Sequence, residues 1–103
     1  MTNLDPSPEA LKFRGSMRAG SFTAQLFVEL AVEPSSLTLS ASIRSFRIDR
    51  ENFQGLEETS ILGIFKRGIR FRHSQPGLAN PIIFYPSMNR DAFRQHLQSI
   101  DWS

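Results

Sequence analysis

The sequence predicts a mainly β fold, a barrel of about seven antiparallel strands in two roughly orthogonal sheets, with one C-terminal α-helix closing an open end. Three observations lead there. Residues 11 to 32 alternate apolar and polar on either side of a turn at Gly20-Ser21, with Phe27 and Ala31 as exceptions, the period-2 pattern of half-buried strands. Pro81 to Pro86 is a short run that is apolar on both faces, and Asn89 to Trp102 is the one stretch with helical apolar spacing.

The first strand places Leu11, Phe13, Gly15, Met17 and Ala19 on one side and Lys12, Arg14, Ser16 and Arg18 on the other. After the Gly20 turn, Phe22, Ala24, Leu26, Val28, Leu30 and Val32 form an unbroken inward set, so Leu26 is expected in the core. Eleven residues rising about 3.3 Å each overrun an ordinary strand, so this one should bend and serve both sheets. Phe27 and Ala31 break the outward register and are expected beneath the helix or at a contact surface.

Glu33-Pro34-Ser35-Ser36 supplies a turn. Leu37, Leu39, Ala41 and Ile43 then point inward, and the phase flips at Phe46 and Ile48, which requires a bulge or tight turn around Ser42 to Ser45. Asp49 to Gly55 reads as a loop, with Phe53 folding back. Ser60 to Phe65 and Ile69 to Ser74 read as a hairpin joined by a Lys66-Arg67-Gly68 turn, and Ser74 to Gly77 closes it. Because Pro81 to Pro86 is apolar on both faces, both need cover, and the helix is expected to supply it. Asn89 is its N-cap and Asp91 suits the positive helix end. Phe93, Leu97 and Ile100 form its apolar stripe.

At 103 residues the chain suits a single domain over residues 10–103, with residues 1–9 as a polar, Pro-containing lead-in. Hydrophobic residues make up 40% and charged residues 21%, which sets the chain apart from disordered sequences. Cysteine is absent, so disulfides and thiolate metal sites are excluded. The Met1 to Pro8 start lacks a basic, then apolar, leader pattern, and no run reaches the roughly 20 apolar residues of a membrane span. A soluble, cytoplasmic protein is the expectation.

The net charge of +2 is unevenly distributed. Residues 1 to 59 hold six Lys/Arg against eight Asp/Glu, whereas residues 60 to 103 hold six against two. Ten of the twelve basic residues are Arg, which favours bidentate contact with carboxylate or phosphate as well as solvated strand faces.

Gly68-Ile69-Arg70-Phe71-Arg72-His73, a turn, Pro81-Ile82-Ile83-Phe84-Tyr85-Pro86, and then Phe93 and Leu97 resemble the small bacterial pleckstrin-homology-like (PH-like) domain proteins. The resemblance spans about Leu11 to Trp102. It implies a PH-like barrel and a non-catalytic binding or scaffold role, and it carries over no active site.

The sharpest cluster is Lys66, Arg67, Arg70 and Arg72, with Arg70 and Arg72 on the outward register beside a basic turn. It suits an acidic protein surface or anionic lipid, and equally a strand edge guarded by charge. Lys12, Arg14 and Arg18 form a weaker alternative. They share a face of the first strand, near which eukaryotic PH domains hold inositol phosphates, but the Gly20-Ser21-Phe22 turn is uncharged. Arg67 to Phe71 echoes an RNA-binding motif, yet Ile69 stands where an aromatic is wanted and Arg70 where Gly or Ala is wanted.

His73 shares the inward register of Ile69 and Phe71 and reads as a barrel-end plug paired with backbone. Neither His73 nor His96 has a metal-ligand spacing, no Ser lies in a Gly-x-Ser-x-Gly elbow, and no catalytic pair or cofactor motif emerges. The leading expectation is therefore a protein-binding module, with self-association included among its partners and no metal. A peripheral binder of anionic membranes or nucleic acid through the basic hairpin comes second, and a small-ligand enzyme a distant third.

Overall fold

A computed structural model describes residues 11–60 and 67–102. Within them lie β1 (Leu11–Ala19), β2 (Phe22–Val32), β3 (Ser36–Ser40), β4 (Ser45–Asp49), β5 (Phe53–Ser60), β6 (Arg67–His73), β7 (Ile82–Pro86) and α1 (Arg90–Gln98). A 3-10 turn, Arg50–Asn52, joins β4 to β5. The seven antiparallel strands form one sheet, in the order β4-β3-β2-β1-β7-β6-β5, curled into a half-barrel with β4 and β5 at its edges.

The β1-β2 hairpin turns at Gly20, whose φ of 62° suits glycine. Its ladder pairs Leu11 with Val32 through Gly15 with Val28, then resumes at Met17 with Ala24. Ser16 is thus opposed by three residues, Gln25, Leu26 and Phe27, in a bulge with two extra residues. The surplus of two is even, so the inward phase of β2 is the same on either side and the sequence alternation runs through unbroken. Inside the bulge the alternation fails: Leu26 is 73% exposed and Phe27 84%, which corrects the expectation of a buried Leu26.

The phase flip after β3 is a tight turn. Ala41 N–H donates to Arg44 O at 2.7 Å, and Ile43, expected inward, is exposed at the tip. Phe53 to Glu58, read in part as loop, belongs to β5, which pairs with β6 from Phe53 with His73 to Ser60 with Arg67 and bulges at Gln54, just before Gly55. Arg67 and Gly68 therefore lie in a strand and not in the expected turn. Gly68 is needed for close approach: a Cβ there would lie 2.8 Å from the Tyr85 ring. Of the strand expected over Ser60 to Phe65, Ser60 ends β5; the remainder, together with Lys66, falls outside the described residues.

The concave face carries the core. Met17, Leu30, Leu39, Ile69, Phe71 and Phe84 are essentially inaccessible to solvent. Gly15 faces inward at the junction of β1 and β7, where a Cβ would lie 2.1 Å from Tyr85 O and 2.9 Å from the Phe84 ring. α1 lies across this core. Asn89 caps it as expected, its side-chain oxygen accepting from Ala92 N–H at 3.1 Å. Phe93 is buried between Phe13, edge-on at 4.9 Å between ring centroids, and Phe84 at 5.4 Å. Full burial of Phe93 and Leu97 contributes about 1.5–3 kcal/mol each.

The helix covers only the inner face of β7. On the outer face Ile83 is 9% exposed, and its register neighbours are Arg18 and Arg70, whose aliphatic stems can shield it.

The helix also ends sooner than its sequence pattern suggests. Asp101 takes a left-handed φ of 67°, Trp102 N–H donates back to Leu97 O at 2.8 Å, and Asp101 N–H to Gln98 O at 3.1 Å. This reversal satisfies terminal carbonyls and swings Trp102 inward in place of the expected Ile100, which is 37% exposed. Trp102 plugs that end of the half-barrel. Its indole N–H donates to Glu33 O at 3.1 Å, its ring meets Phe53 at 4.9 Å, and the Arg50 guanidinium lies over it at 4.6 Å.

Ile69→Asp buries an unpaired carboxylate and should cost several kcal/mol, whereas Leu26→Asp and Thr23→Asp should each stay within about 0.5 kcal/mol of wild type in urea melts. Equal losses for Ile69→Asp and Leu26→Asp would refute the bulge. Gly15→Ala should lower stability by at least the roughly 1–3 kcal/mol of core overpacking, read from the same melts.

Candidate binding groove

Where the middles of β1 and β2, the end of β7, the start of β6 and the first turn of α1 meet, the half-barrel opens into a groove of about 1150 Å³. Phe27, Tyr85 and Met88 give it an aromatic and apolar lining, and Arg14, Glu29, Arg67 and Asp91 give it charges of both signs. Its position follows from the strand chemistry. Gly15 and Gly68 let β7 approach β1 and β6 closely, and the β2 bulge moves Phe27 out of the ladder to the groove.

Phe27 has a φ of 60°, the left-handed region that a bulky L-residue rarely occupies. Such a residue costs of order 1–3 kcal/mol and needs surrounding structure to hold it. The β1-β2 ladder on both sides supplies that hold.

The cationic residues singled out from the sequence separate in space. Arg67 shares the inner register of Ile69 and lines the groove, while Arg70 and Arg72 lie on the outer face. Arg70 stands opposite Glu57, with 3.8 Å between Nη1 and Oε1, and Arg72 is exposed opposite Gly55. Lys66 lies outside the described residues. Lys12, Arg14 and Arg18 are exposed along the outer face of β1. Arg18 Nε donates to Gly20 O at 2.8 Å, and Arg14 sits opposite Glu29 and reaches the groove rim.

Beside the groove, Glu58 of edge strand β5 ties the sheet to the helix. It accepts from Arg94 at 2.5 Å and faces Arg90 at 3.1 Å, while Arg90 also donates to Thr59 O at 3.3 Å. The Arg94 hydrogen bond, followed by the charges of Arg90, Arg94 and Arg67, holds the Glu58 carboxyl below its ordinary value of 4.5 against an opposing desolvation effect. At the other edge, Gln75 Oε1 accepts from Asp49 N–H and Asn52 Nδ2, each at 2.9 Å, tying β4 to the turn that leads into β5.

His73 is buried with both ring nitrogens engaged. Nδ1 accepts from Gln75 N–H at 3.0 Å, so Nε2 carries the proton and donates to Ala79 O at 3.0 Å. His96 is exposed on α1, its ring 5.8 Å from that of Phe13. Among the described residues no group of three or more His, Cys, Asp or Glu is placed to hold a metal ion, and no helix is long and apolar enough to cross a membrane.

A second recess of about 450 Å³ lies at the Trp102 end, lined by Leu11, Val32 and Ile100 among others. The larger groove is the stronger candidate because it combines a strained, exposed aromatic with polar groups. Sequence reasoning singled out Phe27 as out of register but did not single out Met88; the apolar residue next to the helix cap was the available signal. Neither a scan of protein-family models nor a search of curated proteins or of solved structures finds a match for this chain.

Because the Glu58 carboxyl titrates below its unfolded value, its stabilising contribution is complete above the ordinary carboxylate range and is lost as pH falls through its folded value. Glu58→Gln should therefore lower the urea midpoint at about pH 7, with the gap to wild type narrowing as pH falls below the ordinary carboxylate range. A gap that stays constant across that range would show the Arg90–Glu58–Arg94 contact to be without weight.

Proposed function

We propose that this chain is a non-catalytic, protein-binding module of PH-like architecture, and that the groove beside Phe27 is its binding surface. The architectural part is supported by the strand order, the hairpin connections and the single C-terminal helix. In this reading the curled sheet acts as two sheets that turn across one another near the β2 bulge. The resemblance of Gly68 to Leu97 to small bacterial PH-like proteins points the same way.

The observation that carries the functional part is Phe27, 84% exposed and held at a φ of 60°. Folding gains nothing from either property. An aromatic side chain out in water leaves its burial unused, and the left-handed backbone adds strain that glycine would not feel. A residue that weakens the free protein in two ways is well explained by what it contributes when something covers it, and aromatic anchors in recesses dominate protein–protein binding energy. The non-catalytic part is supported by the engagement of both His73 nitrogens with backbone, away from the groove. The mixed charge of the rim favours a protein partner over the anionic lipid or nucleic acid that the basic residues Lys66, Arg67, Arg70 and Arg72 also suit.

Phe27→Gly separates binding from folding. It should raise stability by up to about 1 kcal/mol, because glycine occupies that backbone region without strain, in denaturant melts. At the same time it should abolish most partner capture in pull-downs from the native cell analysed by mass spectrometry. Capture of the same partners by the variant at wild-type levels would overturn the proposal.

A further inference from the structure

We infer that the partner seated in this groove is a second copy of the chain, docked about a two-fold axis so that Phe27 of each copy enters the groove of the other. The inference rests on the protein-binding reading of the groove and names its occupant. A two-fold interface is made by one patch on both subunits, so that patch must contain both a projection and a recess, and charges of both signs. This surface has all of these. Phe27 is 84% exposed on the β2 bulge, and it lines the same groove as Tyr85 and Met88.

The rim charges are self-complementary as well. Arg14 and Glu29 face each other across the β1-β2 ladder and both reach the groove. A two-fold axis that sets one such pair against its copy can match each Arg14 with the other chain's Glu29. A partner of one sign would instead leave one member of the pair opposed by like charge. For an anionic membrane or a nucleic acid that member is Glu29.

Exposed apolar side chains also lie beside the groove. Leu26 and Phe27 lie in the bulge, and Ile43 lies at the β3-β4 turn, three residues past Ser40, which pairs with Glu29 just beyond the bulge. These are the three most exposed large apolar side chains among the described residues, at 73%, 84% and 82%. A standard interface takes about 800 Å² from each partner, roughly an eighth of this chain's 6197 Å².

The test is sedimentation equilibrium or light scattering on the full chain over micromolar to millimolar concentrations, with thermal melts to verify folding. Wild type should show a concentration-dependent doubling of its 11.7 kDa mass, and Phe27→Gly should stay monomeric while folded. Arg14→Glu and Glu29→Arg should each weaken the dimer at least tenfold by setting like charges together. An equimolar mixture of those two variants should recover it, because the mixed pair restores opposite charges across the axis on both sides, and such recovery can only arise between chains.

A wild type that stays monomeric at every concentration would overturn this inference. So would a dimer that survives Phe27→Gly, or charge variants that do not recover on mixing. Loss of partner capture by Phe27→Gly in a protein monomeric at every concentration would leave the broader binding role standing with a different occupant.

Discussion

The contact on which the rest of this molecule depends is the seating of Phe93 between Phe13 and Phe84, above the gap left by Gly15. A half-barrel has an open concave face, and water would reach its apolar lining unless something filled it. The helix fills it with two side chains, Phe93 and Leu97, and both are wholly buried. Phe84 can meet Phe93 only because β7 approaches β1 at a residue without a Cβ. The packing of a single helical stripe thereby depends on a backbone contact made between strands distant in sequence.

A sheet that does not close leaves two edges with unpaired backbone groups, an invitation to other strands. Side chains manage both edges here. Gln75 ties the β4 edge to the turn before β5, accepting a backbone N–H of Asp49 that would otherwise be unpaired. Arg90 takes a carbonyl of β5 and, with Arg94, clasps Glu58. The helix is thereby fixed at its start by charge, along its middle by aromatic packing, and just beyond its end by Trp102. Glu58 and Arg94 are partly exposed, so their contact orients the helix more than it stabilises the fold, as surface ion pairs generally do.

The β2 bulge stands apart from this economy of structure. Everywhere else in the sheet, glycine occupies the positions that need special backbone or close approach: Gly20 in the hairpin, Gly55 beside the β5 bulge, Gly15 and Gly68 beneath neighbouring strands. In the β2 bulge the left-handed position belongs to a phenylalanine whose ring is in solvent. Local agreement between residue and conformation is the rule in folded proteins, and departures from it collect at functional positions. That contrast, more than the size of the groove, is why we propose a binding surface there.

The strand faces of β1, the inward set Ile69, Phe71 and His73, the turn near Ser42 to Ser45 and the Asn89 cap were all legible in the sequence, because each is written in the period or chemistry of a few adjacent residues. Tertiary structure decided the remainder. The exposure of Leu26 was invisible because a bulge with two extra residues preserves the alternation on either side. Gly68 looked like a turn residue because close approach to Tyr85, seventeen positions away, leaves no mark on its own segment. Ile100 fits the helical stripe, yet Trp102 takes its place once the chain reverses at Asp101, since burying an indole that also finds the carbonyl of Glu33 outweighs one more helical turn. The basic residues were visible as a cluster, but their division between two faces followed from β6 running as a strand through Arg67. A sequence period reports which way each residue points along its own segment; how many residues oppose it across a ladder, and what lies beyond, are set by the partner strand.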